Sequence, residues 1–346
     1  MPLTQYNAGI IGLGFIGAAD QISGDALGQQ VENLDGTHIV GYENHPRVDI
    51  ISGSSRDQGR RDRFATRTGA RTYAQWTELL EKESFDIISV ATYAPYHAEI
   101  TIACAEAGIR AIYCEKPIAT RLDDANRMVE ACGKSGSLLV LNHQRRFNSN
   151  CRRLRDFIAA GDLGELTSVN LQWGNGRLGN VGTHMIDGLM MLIGRKVERV
   201  SGHLDLAGKP DCRGDEFADP GGWGILIMED DLRVTVDAPD YGTMPGCITI
   251  NGTLGRAMTN QTDVTIEKWD GARDYWEAPP KSPSGMDRAV DEIVQYLDGA
   301  EFPYDAEEGR LTFEAIVGLH ASHHKNGQFV DLPLTGKDRG FEVLSG

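Results

Sequence analysis

The chain has 346 residues, of which 40% are apolar and 24% charged; that is material for a sizeable buried core and more length than one small domain uses, so two domains are expected. A formal net charge of −16 excludes the broad electrostatic grip on nucleic acid that needs clustered positive charge, and no stretch approaches the roughly 20 apolar residues of a membrane span.

In chain order, the start at Met1 to Asn7 is polar, so a secretory leader is not expected, and the first apolar run, Ala8 to Gly12, predicts a strand. Gly12-Leu13-Gly14-Phe15-Ile16-Gly17 follows it and opens a helix. In that context the first glycine permits a tight turn, the second lets backbone approach a pyrophosphate, and the third allows close helix packing. The helix N-terminus then faces the anion. This is the pattern of a dinucleotide-binding Rossmann domain.

The second strand has two candidates. Thr37 to Glu43 would put Glu43 near the usual distance of the ribose-binding acid. Val48 to Gly53 is preferred, because Ser54-Ser55-Arg56-Asp57 and a helical run to Thr68-Gly69 follow it directly; the first helix is then extended by an insertion holding His38, Tyr42 and His45. On that choice Ser55 and Arg56 occupy the ribose position, where a hydroxyl and a guanidinium suit a 2′-phosphate. NADP is expected, with NAD as the alternative cofactor.

Further strands are expected at Phe85 to Thr92, Arg110 to Cys114 and Ser137 to Asn142, short and apolar like strands buried on both faces. Between them lie helices from Ala98 to Ala107, stopped by Gly108, and from Leu122 to Cys132, stopped by Gly133, the latter with Thr120 and Asp123 as a capping pair. After Phe147 the texture changes. Glu165 to Trp173, Val197 to Leu206, Gly224 to Val236 and Cys247 to Asn251 alternate or run apolar without long helices between them, which predicts a mostly antiparallel open sheet. Ala278 to Gly285 reads as a connection. A last helix from Glu307 to His324, with Leu311, Ala315, Leu319 and Ser322 on one face, stops near Asn326-Gly327 and is expected to pack back on a neighbouring domain. The fold class is therefore α/β: a Rossmann domain over residues 1–144, then an α/β domain over residues 145–346 built on a large, mostly antiparallel open sheet.

The six cysteines, Cys104, Cys114, Cys132, Cys151, Cys212 and Cys247, form no CxxC and no zinc-like spacing. They are read as reduced thiols of a cytoplasmic protein. His320, His323 and His324 have a metal-compatible spacing, but cations at a helix C-terminus explain them more simply, and no metal is expected.

Several motifs in order carry a resemblance: the glycine turn, Ala91-Thr92 with His97, Glu115-Lys116-Pro117, His143-Gln144-Arg145-Arg146-Phe147, Gly182-Thr183-His184-Met185-Ile186-Asp187, and the closing helix with Asp331-Leu332-Pro333-Leu334. Together they resemble the Gfo/Idh/MocA family of sugar and cyclitol oxidoreductases over nearly the whole chain. The resemblance implies hydride exchange with a secondary alcohol or ketone carbon, catalysed by Lys116 and His184. It also implies oligomer contacts through the open sheet, so a homo-oligomer, dimer or tetramer, acting on a small sugar-like molecule. Two departures stand out: Asn180 replaces the usual aspartate, and Tyr93-Ala94 stand where Pro-Asn is common. Asn180 can hold a hydroxyl but cannot take a proton.

The expected dinucleotide contacts are Gly12, Gly14, Phe15, Ile16, Gly17, Ser54, Ser55, Arg56, Ala91, Thr92, His97, Glu115 and Lys116. The expected substrate contacts are Lys116, Arg146, Trp173, Asn180, His184 and Asp187, with Arg145 in second rank. Oxidising an alcohol needs a proton acceptor, which suits an imidazole titrating near pH 6.5, roughly; Lys116 can polarise the oxygen by its charge. Asp187, three residues past His184, is expected either to orient the imidazole or a sugar hydroxyl or to answer the helix dipole. The competing reading is a dinucleotide-binding regulatory protein of the same fold without turnover.

Overall fold

The computed structural model describes residues 4–26, 36–206, 214, 217–240, 242 and 244–345. Cys212 lies outside them. The chain forms two compact units: residues 1–119, 124–142 and 280–307, and residues 120–123, 143–279 and 308–346.

The first unit holds six strands, β1 (Tyr6–Ile11), β2 (Val48–Ser54), β3 (Arg71–Tyr73), β4 (Ile87–Val90), β5 (Ala111–Cys114) and β6 (Leu138–Leu141), in the order β3-β2-β1-β4-β5-β6. Every pairing is parallel. Strands covered on both sides have no polar face to offer, hence the fully buried β4 and β5. The order reverses between β1 and β4, which opens the crevice at the carboxyl ends where such sheets bind ligands.

Thr37 to Glu43 is not a strand: His38–Asn44 is a helix, and Glu43 is drawn into an ion pair with Arg67. The helix Gln58–Thr68 starts on Asp57, whose side chain accepts from Arg60 N–H, and stops at left-handed Gly69. The helix expected to stop at Gly133 runs on from Leu122 to Ser135, and the left-handed glycine is Gly136. Thr120 and Asp123 bond the C-terminal segment, at Glu342 and Arg339. A helix the sequence did not disclose, Gly285–Leu297, begins with a Ser284–Asp287 capping box. It lies against His38–Asn44, where a Cβ on Gly41 would stand 3.2 Å from Val290 Cγ2.

The second unit is built on nine strands: β7 (Leu166–Gln172), β8 (Val197–Asp205), β9 (Gly221–Met228), β10 (Arg233–Ala238), β11 (Cys247–Gly252), β12 (Gly255–Thr259), β13 (Val264–Lys268), β14 (Arg273–Trp276) and β15 (Val330–Asp331). Their order is β14-β13-β12-β11-β7-β10-β9-β8-β15. Only β7 with β10 is parallel among the pairings. The single run expected over Gly224 to Val236 is two strands, split at Asp230 and Asp231, both with positive φ. Burial alternates along β10 and β11, so one face of the sheet packs inward. The helices Ser149–Ala159, Thr183–Ile193 and Ala306–His324 also belong here. The last of these lies on β8: Ser322 Oγ accepts from Gly202 N–H at 2.9 Å, and a Cβ on Gly202 would meet Leu319 at 2.9 Å. His320 is no terminal cation, because burial lowers its pKa to about 4.

Candidate active site

In the first unit the chain leaves β1 through Gly12, at φ +103°, a left-handed conformation that favours glycine. A Cβ there would stand 2.3 Å from Ala91 O, and one on Gly17 would stand 1.9 Å from Gly12 O. Gly14 differs: a Cβ would meet only Arg60 Nη1, at 3.8 Å. Gly12 and Gly17 close the turn, and Gly14 leaves its outer side open. That bare cradle before the helix Phe15–Ala18 fits a dinucleotide pyrophosphate. Phe15 points into the core, and Ile16 is half-buried.

The end of β2 meets this turn, with Gly12 N–H donating to Ser54 O at 2.9 Å. Ser54 is buried, Ser55 half-buried and Arg56 exposed. Ser55 Oγ accepts from Asp57 N–H at 3.2 Å, so its own hydrogen remains to donate. Arg61 Nη1 donates to the carbonyls of Ser55 and Arg56 at 2.5 and 3.0 Å, holding the loop. The Arg56 guanidinium lies 5.6 Å from the Tyr96 ring centroid. Arg60, which sequence reasoning missed, comes within 3.9 Å of Asp20, whose carboxylate already takes Arg63 at 2.6 Å. The signal was available, since Arg60 lies one helical turn past the Ser55-Arg56 loop. Asp20, Arg60, Arg63 and Arg67 help to line a cavity of about 210 Å³.

Ala91 and Thr92 end β4 half-buried. His97 is buried, with Nδ1 2.9 Å from Pro117 O and Nε2 3.0 Å from Thr92 O. It braces two loops, and burial lowers its pKa. Glu115 and Lys116 follow β5 directly. The Lys116 side chain is half-buried. The Glu115 carboxylate turns inward, 3.1 Å from His38 Nε2 and 2.5 Å from Asn142 Nδ2.

In the second unit, His184 opens the helix Thr183–Ile193, half-buried, its ring 5.8 Å from that of His143. A π-helical turn, Leu178–Gly182, precedes it. Asn175, Gly176 and Arg177 before that turn are all left-handed. Asp219 holds the turn by accepting from the N–H groups of Gly179 and Asn180, both at 2.7 Å. An irregular turn of this kind is frequent at functional sites.

Three of the expected substrate contacts are buried among protein groups. Asp187 is fully buried: it takes Arg146 Nε at 2.9 Å and Nη2 at 2.8 Å, and His143 Nδ1 lies 3.1 Å away. Arg146 is buried too, and also reaches Glu308 at 2.6 Å. Trp173 is buried, with Nε1 donating to Gly176 O at 2.8 Å; a Cβ on Gly182 would meet its ring at 3.0 Å. Trp173 thus braces the turn that carries Asn180, and the Arg146–Asp187 pair anchors the helix that His184 opens. His143, quoted only as part of a motif, lies between Asp187 and the start of that helix, its Nδ1 3.1 Å from Asp187 and its Nε2 3.0 Å from Thr183 Oγ1. Arg145 bonds Gln261.

Among the described residues no group of histidines, cysteines and carboxylates is placed to hold a metal ion, and no helix is long and apolar enough to cross a membrane.

Residues 6–143 match the model of an oxidoreductase family with an NAD-binding Rossmann fold. The chain is 31% identical to inositol 2-dehydrogenase 3 of Saccharopolyspora erythraea over 137 residues, 37% of this chain and 40% of that protein. It is 34% identical to 1,5-anhydro-D-fructose reductase of Ensifer adhaerens over 127 residues, 36% of this chain and 38% of that protein. The matched segments thus span about two fifths of these relatives' length. In fold, the chain is similar to the WlbA dehydrogenase from Bordetella pertussis, solved in complex with NADH and UDP-GlcNAcA: the TM-score is 0.78 at 22% identity, covering 96% of this chain and 100% of that one.

Proposed function

We propose that the chain is an NAD(P)-dependent dehydrogenase or reductase of the Gfo/Idh/MocA family, whose NAD-binding Rossmann model residues 6–143 match. Its substrate is a sugar, sugar derivative or cyclitol, reacting at a secondary alcohol or ketone carbon. The observation that carries this reading is the cradle of Gly12, Gly14 and Gly17 at the switch point of the parallel sheet, with Lys116 at the end of β5. The relatives' names, inositol dehydrogenase and anhydrofructose reductase, support the substrate class.

A bound nicotinamide supplies hydride exchange with the substrate carbon. Lys116 places positive charge by the substrate oxygen and stabilises its anionic form. His184 accepts the hydroxyl proton, or returns it in the reductive direction. Asn180 holds a substrate hydroxyl. Arg146, Asp187 and Trp173 act one step back, Trp173 by bracing the turn and the Arg146–Asp187 pair by anchoring the helix Thr183–Ile193. Ser55 and Arg56, joined by Arg60, favour a 2′-phosphate and hence NADP: a hydroxyl hydrogen and two guanidinium groups suit a phosphate dianion. The free cysteines Cys104, Cys114, Cys132, Cys151 and Cys247 support a cytoplasmic setting.

The test is a screen of sugars and cyclitols with NADP⁺ and NAD⁺, read by absorbance of the reduced nicotinamide, with NADPH and NADH titrated by fluorescence. Turnover with at least one polyol is expected, along with tighter NADPH binding that Arg56→Ala and Arg60→Gln each weaken. Tighter binding of NADH would remove the NADP assignment. Asn180 favours a second reading, a dinucleotide-binding regulator without turnover; nucleotide binding with no oxidation of any compound in the screen would select it.

A further inference from the structure

Behind Lys116 runs a line of polar side chains, all within the first unit, that hydride transfer leaves unused. Tyr42 Oη is 2.6 Å from Ser89 Oγ, Ser89 Oγ is 2.8 Å from His38 Nδ1, and His38 Nε2 is 3.1 Å from Glu115 Oε1. Serine, histidine and carboxylate in this order resemble a nucleophilic triad. Ser89 and His38 are both fully buried, however, so no acyl group reaches the hydroxyl.

The hydrogens give the line its direction. Tyr42 and Ser89 each bring one O–H hydrogen. With Tyr42 donating to Ser89 and Ser89 to Nδ1, both are placed, and the imidazole hydrogen sits on Nε2 and donates to Glu115. Reversing the line leaves the Tyr42 hydrogen with no acceptor among the described residues. Glu115 Oε1 also accepts from Asn142 Nδ2, whose Oδ1 accepts from Tyr113 Oη at 2.8 Å, and Glu115 Oε2 accepts from the Lys116 amide N–H at 3.3 Å. The network therefore converges on one buried carboxylate. Burial pushes that carboxyl up, but His38, the Lys116 charge and Asn142 outweigh it and bring it down to about 2.

We propose that Glu115, kept ionised by His38, is the fixed counter-charge that sets the proton affinity of Lys116, and that His38 is a positioning residue for the reaction. The inference rests on the assignment of Lys116 to the reacting oxygen. Its consequence is that Lys116 stays an ammonium well into the alkaline range and acts by charge, leaving proton transfer to His184. Of the other titratable groups around the network, Tyr42, Tyr113, Cys114 and His97 are neutral near pH 7. Burial raises the pKa of Tyr42, Tyr113 and Cys114 and lowers that of His97. Tyr304, and Glu292 on the helix Gly285–Leu297, act on Tyr113.

The experiment is competitive acetylation of the folded chain with acetic anhydride across pH, read by mass spectrometry of the tryptic peptide Ala111–Arg121, in which Lys116 is the sole lysine. Glu115→Gln lowers the Lys116 labelling midpoint by about one pH unit, a tenfold loss of proton affinity. His38→Leu lowers it part of the way, and His38→Gln, whose amide can still donate to Glu115, restores it. Should His38→Leu not fold, Ser89→Ala replaces it and moves the midpoint in the same direction. An unchanged midpoint in Glu115→Gln, or in a His38→Leu or Ser89→Ala chain with wild-type circular dichroism, overturns the proposal. The labelling needs neither nucleotide nor substrate, so its failure is separable from failure of the turnover screen.

Discussion

Asp187 accepts two nitrogens of Arg146 and lies beside His143 with no surface exposed. Burial pushes its carboxyl up, but the charges and hydrogen bonds of His143 and Arg146 hold it well below the usual range. Breaking a buried pair from one side strands the other charge, so Asp187→Asn costs about 3–5 kcal/mol, measured as a lower urea midpoint at pH 7. A depressed folded pKa stabilises above the unfolded value and is lost as pH falls through the folded one. The gap between wild type and Asp187→Asn should therefore narrow as acid is added below about pH 4. A constant gap would mean that Asp187 stabilises by packing alone. Lys116→Ala and His184→Ala should behave differently, since both side chains are half-buried. Each should lose a factor of about 100–10,000 in turnover with nearly unchanged dinucleotide affinity. The double variant should lose less than the product, because Lys116 stabilises the oxygen whose proton His184 takes. Near-normal turnover in either single variant would reassign that residue.

The glycine turn separates two requirements that one motif combines. Gly17→Ala drives a Cβ into Gly12 O and should cost about 1–3 kcal/mol as overpacking does. Gly14 has φ −84° and an open outer side, so Gly14→Ala should melt at or slightly above the wild-type temperature. It should still lose about tenfold or more in dinucleotide affinity, because the added methyl occupies the approach to the backbone. Equal melting and equal affinity losses in the two variants would refute this division. The turn was legible in sequence because close backbone approach demands glycine at fixed spacing. The parallel strands other than β3 were legible as short apolar runs, and β7, β8 and β11 as apolar or alternating runs, while β9 and β10 merged into one because nothing in the run marked the turn at Asp230 and Asp231. β3, at three residues, is too short to leave a pattern. The helix Gly285–Leu297 was hidden because its capping serine sits in a Pro/Ser-rich stretch that also reads as a connection. Candidate site residues such as Lys116 and His184 could be named in the sequence from residue type and order, and their roles stand as proposals. Side-chain direction was not: Asp187 is three residues past His184 yet turns into the core, and His38 lies 77 residues from Glu115. No local period encodes such pairings, because the tertiary fold supplies them.

At the scale of the whole molecule, the nine-stranded sheet bears on association. The side chains of one face pack inward. Those of the other, including Ser201, Ile225, Thr235, Asn170, Thr249, Met258, Thr265 and Tyr275 in one cross-strand row, are half-buried or exposed. Trp223 on the same side is 59% exposed and Tyr275 57%. Monomers seldom leave a wide, flat face of this kind uncovered. A two-fold interface needs a patch that complements itself, which small polar and apolar side chains in register can supply. The net charge of −16 acts against association, since like-charged copies repel over roughly 10 Å at 0.1 M salt. The prediction is a homo-oligomer at micromolar concentration by sedimentation velocity, with the larger species favoured as salt is raised. Ile225→Lys, which places a charge that association would desolvate within that row, should shift the boundary to the monomer while leaving the circular dichroism unchanged. A wild-type chain that sediments as a monomer, or an Ile225→Lys chain that assembles as well as wild type, would mean that this face is not the docking surface.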